Sequence, residues 1–235
     1  MDSIAARKSG RGKPLPYIVA YMTSAVGAPL VAPARRYKMS STYDWIRGFT
    51  LDFSLLDGLS KGAQSTVRRL SQMHGMYADA DAEEQALRER GDPVIYEFYE
   101  LGAPERPGGL AFGTSITYPG KIGAEYYMTK GHFHTILETS EVYYVLSGQG
   151  CILTESPESD VVLHDLTPGK AVYIPERYAH RSINTGNVPL VTFYAFRADA
   201  GHDYGSIENK GFRRLLLEGG DGTPMLVDNP KWKER

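Results

Sequence analysis

Alternation of hydrophobic and polar residues dominates the chain after residue 93 and predicts β-strands. Short runs rich in β-branched and aromatic residues recur there, and glycine or proline separates each run from the next. Many short strands at this spacing are typical of an antiparallel sandwich or barrel. The predicted strands are Val94–Tyr99, Gly113–Tyr118, Glu125–Thr129, Glu141–Leu146, Cys151–Glu155, Ala171–Ile174 and Leu190–Phe196.

The residues that precede these strands have a helical rather than an alternating pattern. Residues Asp79–Arg90 have the composition of a surface helix, rich in alanine, glutamate and arginine. Gly91 and Pro93 would end that helix, because proline cannot continue it. Val67–Met73 fits either a short strand or a helical turn. The sequence therefore predicts a mainly β protein with a short helical region on its N-terminal side.

Composition excludes several classes of protein. The chain has 235 residues, 42% of them hydrophobic, and a formal net charge of −2, which argues against a dedicated nucleic-acid binder. The lone cysteine, Cys151, rules out an intramolecular disulfide framework and a multi-cysteine zinc site, and its place in a predicted strand favours a buried small hydrophobe. No apolar run reaches the roughly 18 to 20 residues of a membrane span.

Residues 1–48 form a basic, proline-containing segment with eight basic and two acidic residues. Its mildly apolar part, Tyr17–Ala34, has the outline of a secretory signal, but Gly27 and Pro29 interrupt it. We therefore expect a flexible extension, or a start site at Met39. The predicted domain division is 1–48 for this extension and 49–235 for the folded domain.

Three of the six histidines fall into one pattern. His132 and His134 are two residues apart, so on a strand both imidazoles point to the same face. Two such imidazoles suit Fe, Mn, Ni or Zn, and a carboxylate would complete the set. Glu141 opens a predicted strand whereas Glu138 lies in a turn, and we favour Glu141 because a strand fixes the direction of its side chains.

A second run supplies a further histidine. Gly169 and Pro175 bracket a predicted strand, and His180 and Asn184 follow. His180 on an adjacent strand would be a fourth ligand. This pair of motifs resembles the two signatures of the cupin superfamily, although Arg177 stands where the second motif commonly has glycine.

Longer stretches resemble one family within the cupins, the cupin-type glucose-6-phosphate isomerases of archaea and some bacteria. The resemblance covers about residues 51–235, and the segments that carry it include 67–71, 92–97, 129–134, 173–181, 198–205 and 227–232. The resemblance implies a double-stranded β-helix, or jelly-roll barrel, with one divalent metal inside it. Fe²⁺ is the expected metal, with Mn²⁺, Ni²⁺ or Zn²⁺ as alternatives.

The resemblance also implies roles for individual residues. The implied metal ligands are His132, His134, Glu141 and His180, and the implied catalytic groups are Glu141 and His202. The implied substrate contacts are Tyr96, Ser115, Thr129, Gly131, Tyr143 and Tyr204, and Lys130 could add charge near the phosphate. Phe196 departs from the family, which has a tyrosine there, and Tyr194 on the same strand face could substitute for it.

The implied reaction interconverts glucose 6-phosphate and fructose 6-phosphate by moving hydrogen between C1 and C2. The hydrogen could travel as a proton through an enediol or directly as hydride, and the sequence leaves both routes open. Two other functions also remain open, a cupin oxygenase or decarboxylase and a non-catalytic sugar-phosphate sensor. The expected partners are a sugar phosphate and a second copy of the chain in a homodimer, without nucleic acid or membrane, and the expected location is the cytoplasm.

Overall fold

The computed structural model describes residues 43–58, 65–101, 103–158 and 160–234. In these ranges the chain is mainly β, as predicted, with two α-helices and a 3₁₀ turn at Leu70–Met73. The strands are β1 (Ser65–Arg69), β2 (Val94–Leu101), β3 (Leu110–Thr117), β4 (Lys121–Ile122), β5 (Glu125–Tyr126), β6 (Phe133–His134), β7 (Glu141–Ser147), β8 (Gly150–Glu155), β9 (Val161–Leu166), β10 (Ala171–Ile174), β11 (Ala179–Asn184), β12 (Leu190–Arg197), β13 (His202–Asp203), β14 (Arg214–Glu218) and β15 (Pro224–Asp228). The helices are α1 (Ala80–Arg90) and α2 (Gly205–Lys210).

Helix α1 confirms the predicted surface helix. The Asp79 carboxylate caps its first turn by accepting a hydrogen bond from Ala82 N at 2.9 Å. Gly91 follows the last turn with φ 72°, a conformation that glycine adopts without strain. Neither α1 nor α2 has both the length and the apolar character needed to cross a bilayer.

The strands form the jelly-roll barrel expected from the sequence. A six-stranded antiparallel sheet has the order β1-β2-β3-β12-β7-β10, and a three-stranded sheet has the order β11-β8-β9. Along the chain, β7 belongs to the first sheet, β8 and β9 to the second, β10 to the first, β11 to the second and β12 to the first. This crossing between two antiparallel sheets is the arrangement of a cupin.

Several local features differ from the sequence prediction. The predicted strand 125–129 is paired as a strand only at Glu125–Tyr126, because the chain then turns to follow β11, where Thr129 N donates to Ser182 O. Val67–Met73 contains both alternatives, the end of β1 and the 3₁₀ turn. Strands β4, β9, β13, β14 and β15 were not predicted, and β11 was expected only as an adjacent strand that carries His180.

Residues 43–58 lie against the outer face of the large sheet. The Phe49 ring packs on Tyr43 at a centroid distance of 4.6 Å and on Phe112 of β3 at 6.2 Å, and the Phe53 ring meets Phe193 at 5.7 Å. The other residues of the predicted extension, 1–42, lie outside the described residues. The division at residue 48 stays a prediction.

Candidate metal centre and substrate cavity

Four side chains converge inside the barrel, at the place where β6, β7 and β11 meet. They are His132, His134, Glu141 and His180, and one nitrogen or oxygen atom from each lies within 4.8 Å of the others. Glu141 opens β7 and is 3% exposed, whereas Glu138 lies on the surface. The structure therefore brings together the four predicted ligands and leaves the alternative glutamate outside the cluster.

Backbone pairing sets the directions of the histidines. His132 and His180 face each other across an antiparallel bridge, with N···O distances of 3.3 and 3.2 Å. His134 lies two residues beyond His132, and the two rings are 5.2 Å apart, which agrees with the alternation predicted for a strand. Phe133, between them, points the other way into the hydrophobic core.

The second ring nitrogen of two histidines faces a backbone carbonyl. His134 Nδ1 lies 3.3 Å from Gly201 O, and His180 Nδ1 lies 3.5 Å from Tyr178 O. A ring that donates from Nδ1 to a carbonyl presents the lone pair of Nε2 on its other side. Both Nε2 atoms lie 3.1 Å from Glu141 Oε2.

The electrostatics of the cluster also fit a bound cation. His132 Nε2 and His180 Nε2 are buried without a hydrogen-bond partner. Burial, followed by the charges of His180 and His202, holds the pKa of His132 well below its usual value. Burial alone would raise the pKa of Glu141, but the neighbouring His180, His134 and His132 outweigh it, so this pKa is well below its ordinary range. Imidazole nitrogens and an ionised carboxylate are a suitable donor set for a divalent transition metal.

A cavity that is partly open to solvent borders this cluster. Its lining includes seven predicted residues, namely Tyr96, Ser115, Thr129, Gly131, Tyr143, His202 and Tyr204. Lys130 is not part of the lining, because its Nζ lies 2.6 Å from Glu208 Oε1.

His202 and Tyr204 occupy one wall of the cavity. Their rings stack at a centroid distance of 5.8 Å, and His202 pairs with His134 across the β13–β6 ladder. Burial and the neighbouring His134 lower the pKa of His202 to about 4. The ring is therefore neutral at physiological pH and can both donate and accept a hydrogen bond.

Phe196 lies beside the histidines, with its ring 5.4 Å from His134 and 5.3 Å from His202. Tyr194 is stacked on it at 5.9 Å, on the same strand face, as the sequence predicted. The tyrosine of β12, Tyr194, thus lies two residues from Phe196, and its Oη is 3.4 Å from Tyr99 O.

Sequence reasoning missed two lining residues and one cation. Phe98 and Glu100 line the cavity, and their alternation with Tyr96 along β2 is the signal that could have revealed them. Arg68 stands opposite Tyr96 in the β1–β2 pair. Its guanidinium opposes the effect of burial on the pKa values of Tyr96 and Tyr204, so its charge acts on two hydroxyls of the cavity.

A jelly-roll barrel with three histidines and a glutamate beside a tyrosine-lined cavity defines a cupin with a candidate metal centre. Residues 67–233 match the model of a family described as glucose-6-phosphate isomerase (GPI). A glucose-6-phosphate isomerase of Thermococcus kodakarensis is 44% identical over 191 residues, which cover 81% of this chain and 100% of that protein. The chain belongs to the glucose-6-phosphate isomerase family, in its cupin form, and it is an isomerase.

Two further relatives align with this chain over most of their own length. A glucose-6-phosphate isomerase of Pyrococcus furiosus is 44% identical over 187 residues, covering 80% of this chain and 97% of that protein. One from Sinorhizobium medicae is 39% identical over 184 residues, covering 75% and 86%. A solved structure of an oxalate oxidase aligns with a TM-score of 0.41 and 17% identity, over 50% of this chain and 58% of that one.

Proposed function

We propose that the chain interconverts glucose 6-phosphate and fructose 6-phosphate with the help of a divalent transition metal held by His132, His134, Glu141 and His180. The observation that carries this proposal is the convergence of these four groups within 4.8 Å at the cavity, in a chain that aligns with named isomerases over most of their length. Fe²⁺ is the proposed metal, with Mn²⁺, Ni²⁺ and Zn²⁺ as alternatives. When bound, such a metal supplies Lewis-acid polarisation of the sugar carbonyl.

Glu141 and His202 are the proposed proton-handling groups. Glu141 faces the cavity in ionised form and could take the C2 proton of the aldose and return it to C1. His202 is neutral and could transfer a proton to or from the ring oxygen during ring opening. Turnover in D₂O distinguishes the routes, because a proton carried by Glu141 exchanges with solvent whereas a hydride does not.

We place the phosphate at the end of the cavity formed by Tyr96, Thr129, Gly131 and Tyr204. Gly131 has φ 75°, and a Cβ there would lie 2.6 Å from the Phe212 ring, so the chain can take this path only with glycine. The sugar hydroxyls would then form hydrogen bonds with Ser115, Tyr143 and Tyr194.

Arg68 is the cation best placed to attract the phosphate. Its charge acts on the hydroxyls of Tyr96 and Tyr204, whereas Lys130 is paired with Glu208. Replacing Arg68 with Gln should raise the KM for fructose 6-phosphate about tenfold or more, since charge-assisted contacts to phosphate are lost. The matched change Lys130→Gln should leave KM within about twofold, and the opposite result would assign the phosphate to Lys130.

A coupled assay on protein of defined metal content tests the reaction. We expect turnover of fructose 6-phosphate that chelator abolishes and that added Fe²⁺ or Mn²⁺ restores, with equal rates in anaerobic buffer. A strict need for oxygen would instead indicate the oxygenase alternative. Tight binding of fructose 6-phosphate by metal-loaded protein without turnover would indicate a sensor.

Location and assembly complete the proposal. Sugar phosphates are cytosolic metabolites, so we propose a cytoplasmic location for the protein. We also propose a homodimer, because the large sheet ends in β10, a strand whose outer edge has no partner among the described strands. Light scattering at several protein concentrations measures the assembly state directly.

A further inference from the structure

The charged groups near the cavity differ between the two ends of β2. Tyr96 and Glu100 face the cavity from opposite ends of this strand, about 13 Å apart at the rise of an antiparallel strand. Arg68 stands beside Tyr96, whereas Glu100 is a carboxylate. Among the described residues that line the cavity, Glu100 and Glu141 are acidic, and none is lysine or arginine. A ligand with a negative charge at one end is therefore attracted at the Tyr96 end and repelled at the Glu100 end.

The backbone holds Glu100 in this place. Glu100 pairs with Gly113 of β3, and Gly113 pairs in turn with Tyr194 of β12. A Cβ on Gly113 would lie 1.8 Å from Tyr99 O and 3.0 Å from Tyr194 Oη. The missing side chain thus leaves room for the Tyr194 hydroxyl, which interacts with the Glu100 carboxylate.

Two neighbours act in opposite directions on the charge of Glu100. Burial, followed by the charge of Glu141, raises the pKa of Glu100 above its ordinary value, and the hydrogen bond from Tyr194 offsets part of this shift. Tyr194 therefore favours the ionised carboxylate, which accepts hydrogen bonds and donates none. Sugar hydroxyls can donate to this group, whereas a phosphate dianion next to it meets a like charge.

We propose that Glu100 is a specificity-determining residue, which accepts hydrogen bonds from the hydroxyl end of a sugar monophosphate and rejects a second phosphate at that end. The inference rests on the proposed function, because it takes the phosphate-binding end from that proposal. It assigns Glu100 two effects, orientation of the substrate along the cavity and discrimination against sugar bisphosphates.

Binding of fructose 6-phosphate and fructose 1,6-bisphosphate to the metal-loaded full chain tests the proposal, by calorimetry and by competitive inhibition. The wild-type chain should bind the bisphosphate at least about tenfold more weakly than the monophosphate, as expected for juxtaposed like charges. Glu100→Gln should tighten bisphosphate binding about tenfold and weaken monophosphate binding by about threefold. A gain in affinity is informative because damage to the fold would not produce it.

Control variants separate charge from structure. Glu100→Asp keeps the charge and should keep the preference for the monophosphate. Glu97→Gln removes a carboxylate from the other face of the same strand, where Glu97 accepts a hydrogen bond from Tyr118 Oη at 2.6 Å, and should change neither affinity. If Glu100→Gln does not fold, Glu100→Ser removes the same charge and carries the same prediction.

The outcomes are distinct from those of the proposed function. Parallel weakening of both ligands in Glu100→Gln, or an unchanged ratio of their affinities, would overturn the role of Glu100. A wild-type chain that shows the predicted preference but does not isomerise fructose 6-phosphate would overturn the reaction and leave the assignment of Glu100 in place.

Discussion

Two glutamates, Glu141 and Glu125, are buried to nearly the same degree, but their pKa values are shifted in opposite directions. Glu141 is 3% exposed and Glu125 is 4% exposed. The pKa of Glu141 lies well below its usual range, because the effect of His180, His134 and His132 exceeds that of burial. Burial raises the pKa of Glu125 to about 7, and its neighbours do not compensate. Depth of burial alone therefore does not identify the functional carboxylate.

The partners of the two groups explain the difference. Glu141 faces imidazole nitrogens that have no stronger partner. The nearest cations of Glu125 make their hydrogen bonds elsewhere, since Arg181 donates to Lys130 O at 2.6 Å and Lys231 donates to Tyr77 O at 2.8 Å. Glu125 itself accepts one bond, from Ala78 N at 2.9 Å. Glu141 therefore completes a site that suits a cation, whereas Glu125 is a buried polar group without a compensating charge in hydrogen-bond contact among the described residues.

The largest expected effect is that of Glu141→Gln, which removes the negative charge from the cluster. We expect isomerase activity to fall at least about a thousandfold, since the amide binds a metal poorly and cannot accept a proton. Metal content per chain should fall in parallel, as measured by elemental analysis. The matched control is Glu138→Gln on the surface, which should retain activity within about twofold. Loss of activity in the control but not in Glu141→Gln would contradict the ligand assignment.

The sequence was sufficient for those parts of the fold and site that depend on local pattern. Alternation along strands predicted that His132 and His134 share a face, and placement at the start of a strand favoured Glu141 over Glu138. Family resemblance added Tyr96, Thr129 and Tyr204, all of which line the cavity. The positions of these residues could be predicted because the information lies within a few residues of each one, whereas their roles stay predictions.

Features that depend on pairing between distant segments could not be predicted. Lys130 is adjacent to two lining residues in sequence, but Glu208 on α2 draws it away. Glu100 had the alternation of an inward position, yet only the β2–β3–β12 register shows that Gly113 leaves room for Tyr194 beside it. Strand β11 has weak strand propensity, and its full burial against β8 determines its structure.

The second expected effect concerns Arg181, the main cation near Glu125. Arg181 is 2% exposed, packs on the Phe212 ring at 4.3 Å and bonds Lys130 O. Arg181→Met should lower the free energy of unfolding by about 3 kcal/mol, because it leaves buried carboxylates without a compensating charge. Urea unfolding measures this loss.

A surface arginine provides the matched control. Arg88 pairs with Glu84 at 3.4 Å, and both side chains are 68% exposed. Arg88→Met should change the free energy of unfolding by less than about 0.5 kcal/mol. Equal effects of the two substitutions would show that the charge of Arg181 is not required in the core, and the contrast between the two glutamates would then rest on burial of Glu125 alone.

The smallest expected effect is that of Glu125→Gln, and its sign is opposite to the others. The folded-state pKa of Glu125 is about 7, above its ordinary value of 4.5, so the folded chain binds this proton more tightly than the unfolded chain. The contribution of Glu125 to stability is therefore greatest below about pH 4.5 and is lost as the pH rises to about 7. Glu125→Gln removes this dependence and should stabilise the chain by about 1–2 kcal/mol at pH 8, less than the full shift because the bond from Ala78 N weakens.

Urea unfolding of the wild type and Glu125→Gln at pH 5, 6, 7 and 8 measures this effect, since the difference between the two curves isolates Glu125 from other titrating groups. The groups near it are Arg181, Lys231, Glu83 and Tyr77. A stability difference that grows with pH would confirm that the core opposes ionisation of Glu125, in contrast to the histidine cluster, which favours ionisation of Glu141. A constant difference, or greater stability of the wild type at pH 8, would mean that Glu125 is held ionised by Arg181, and the two glutamates would then differ only in the kind of cation that each faces.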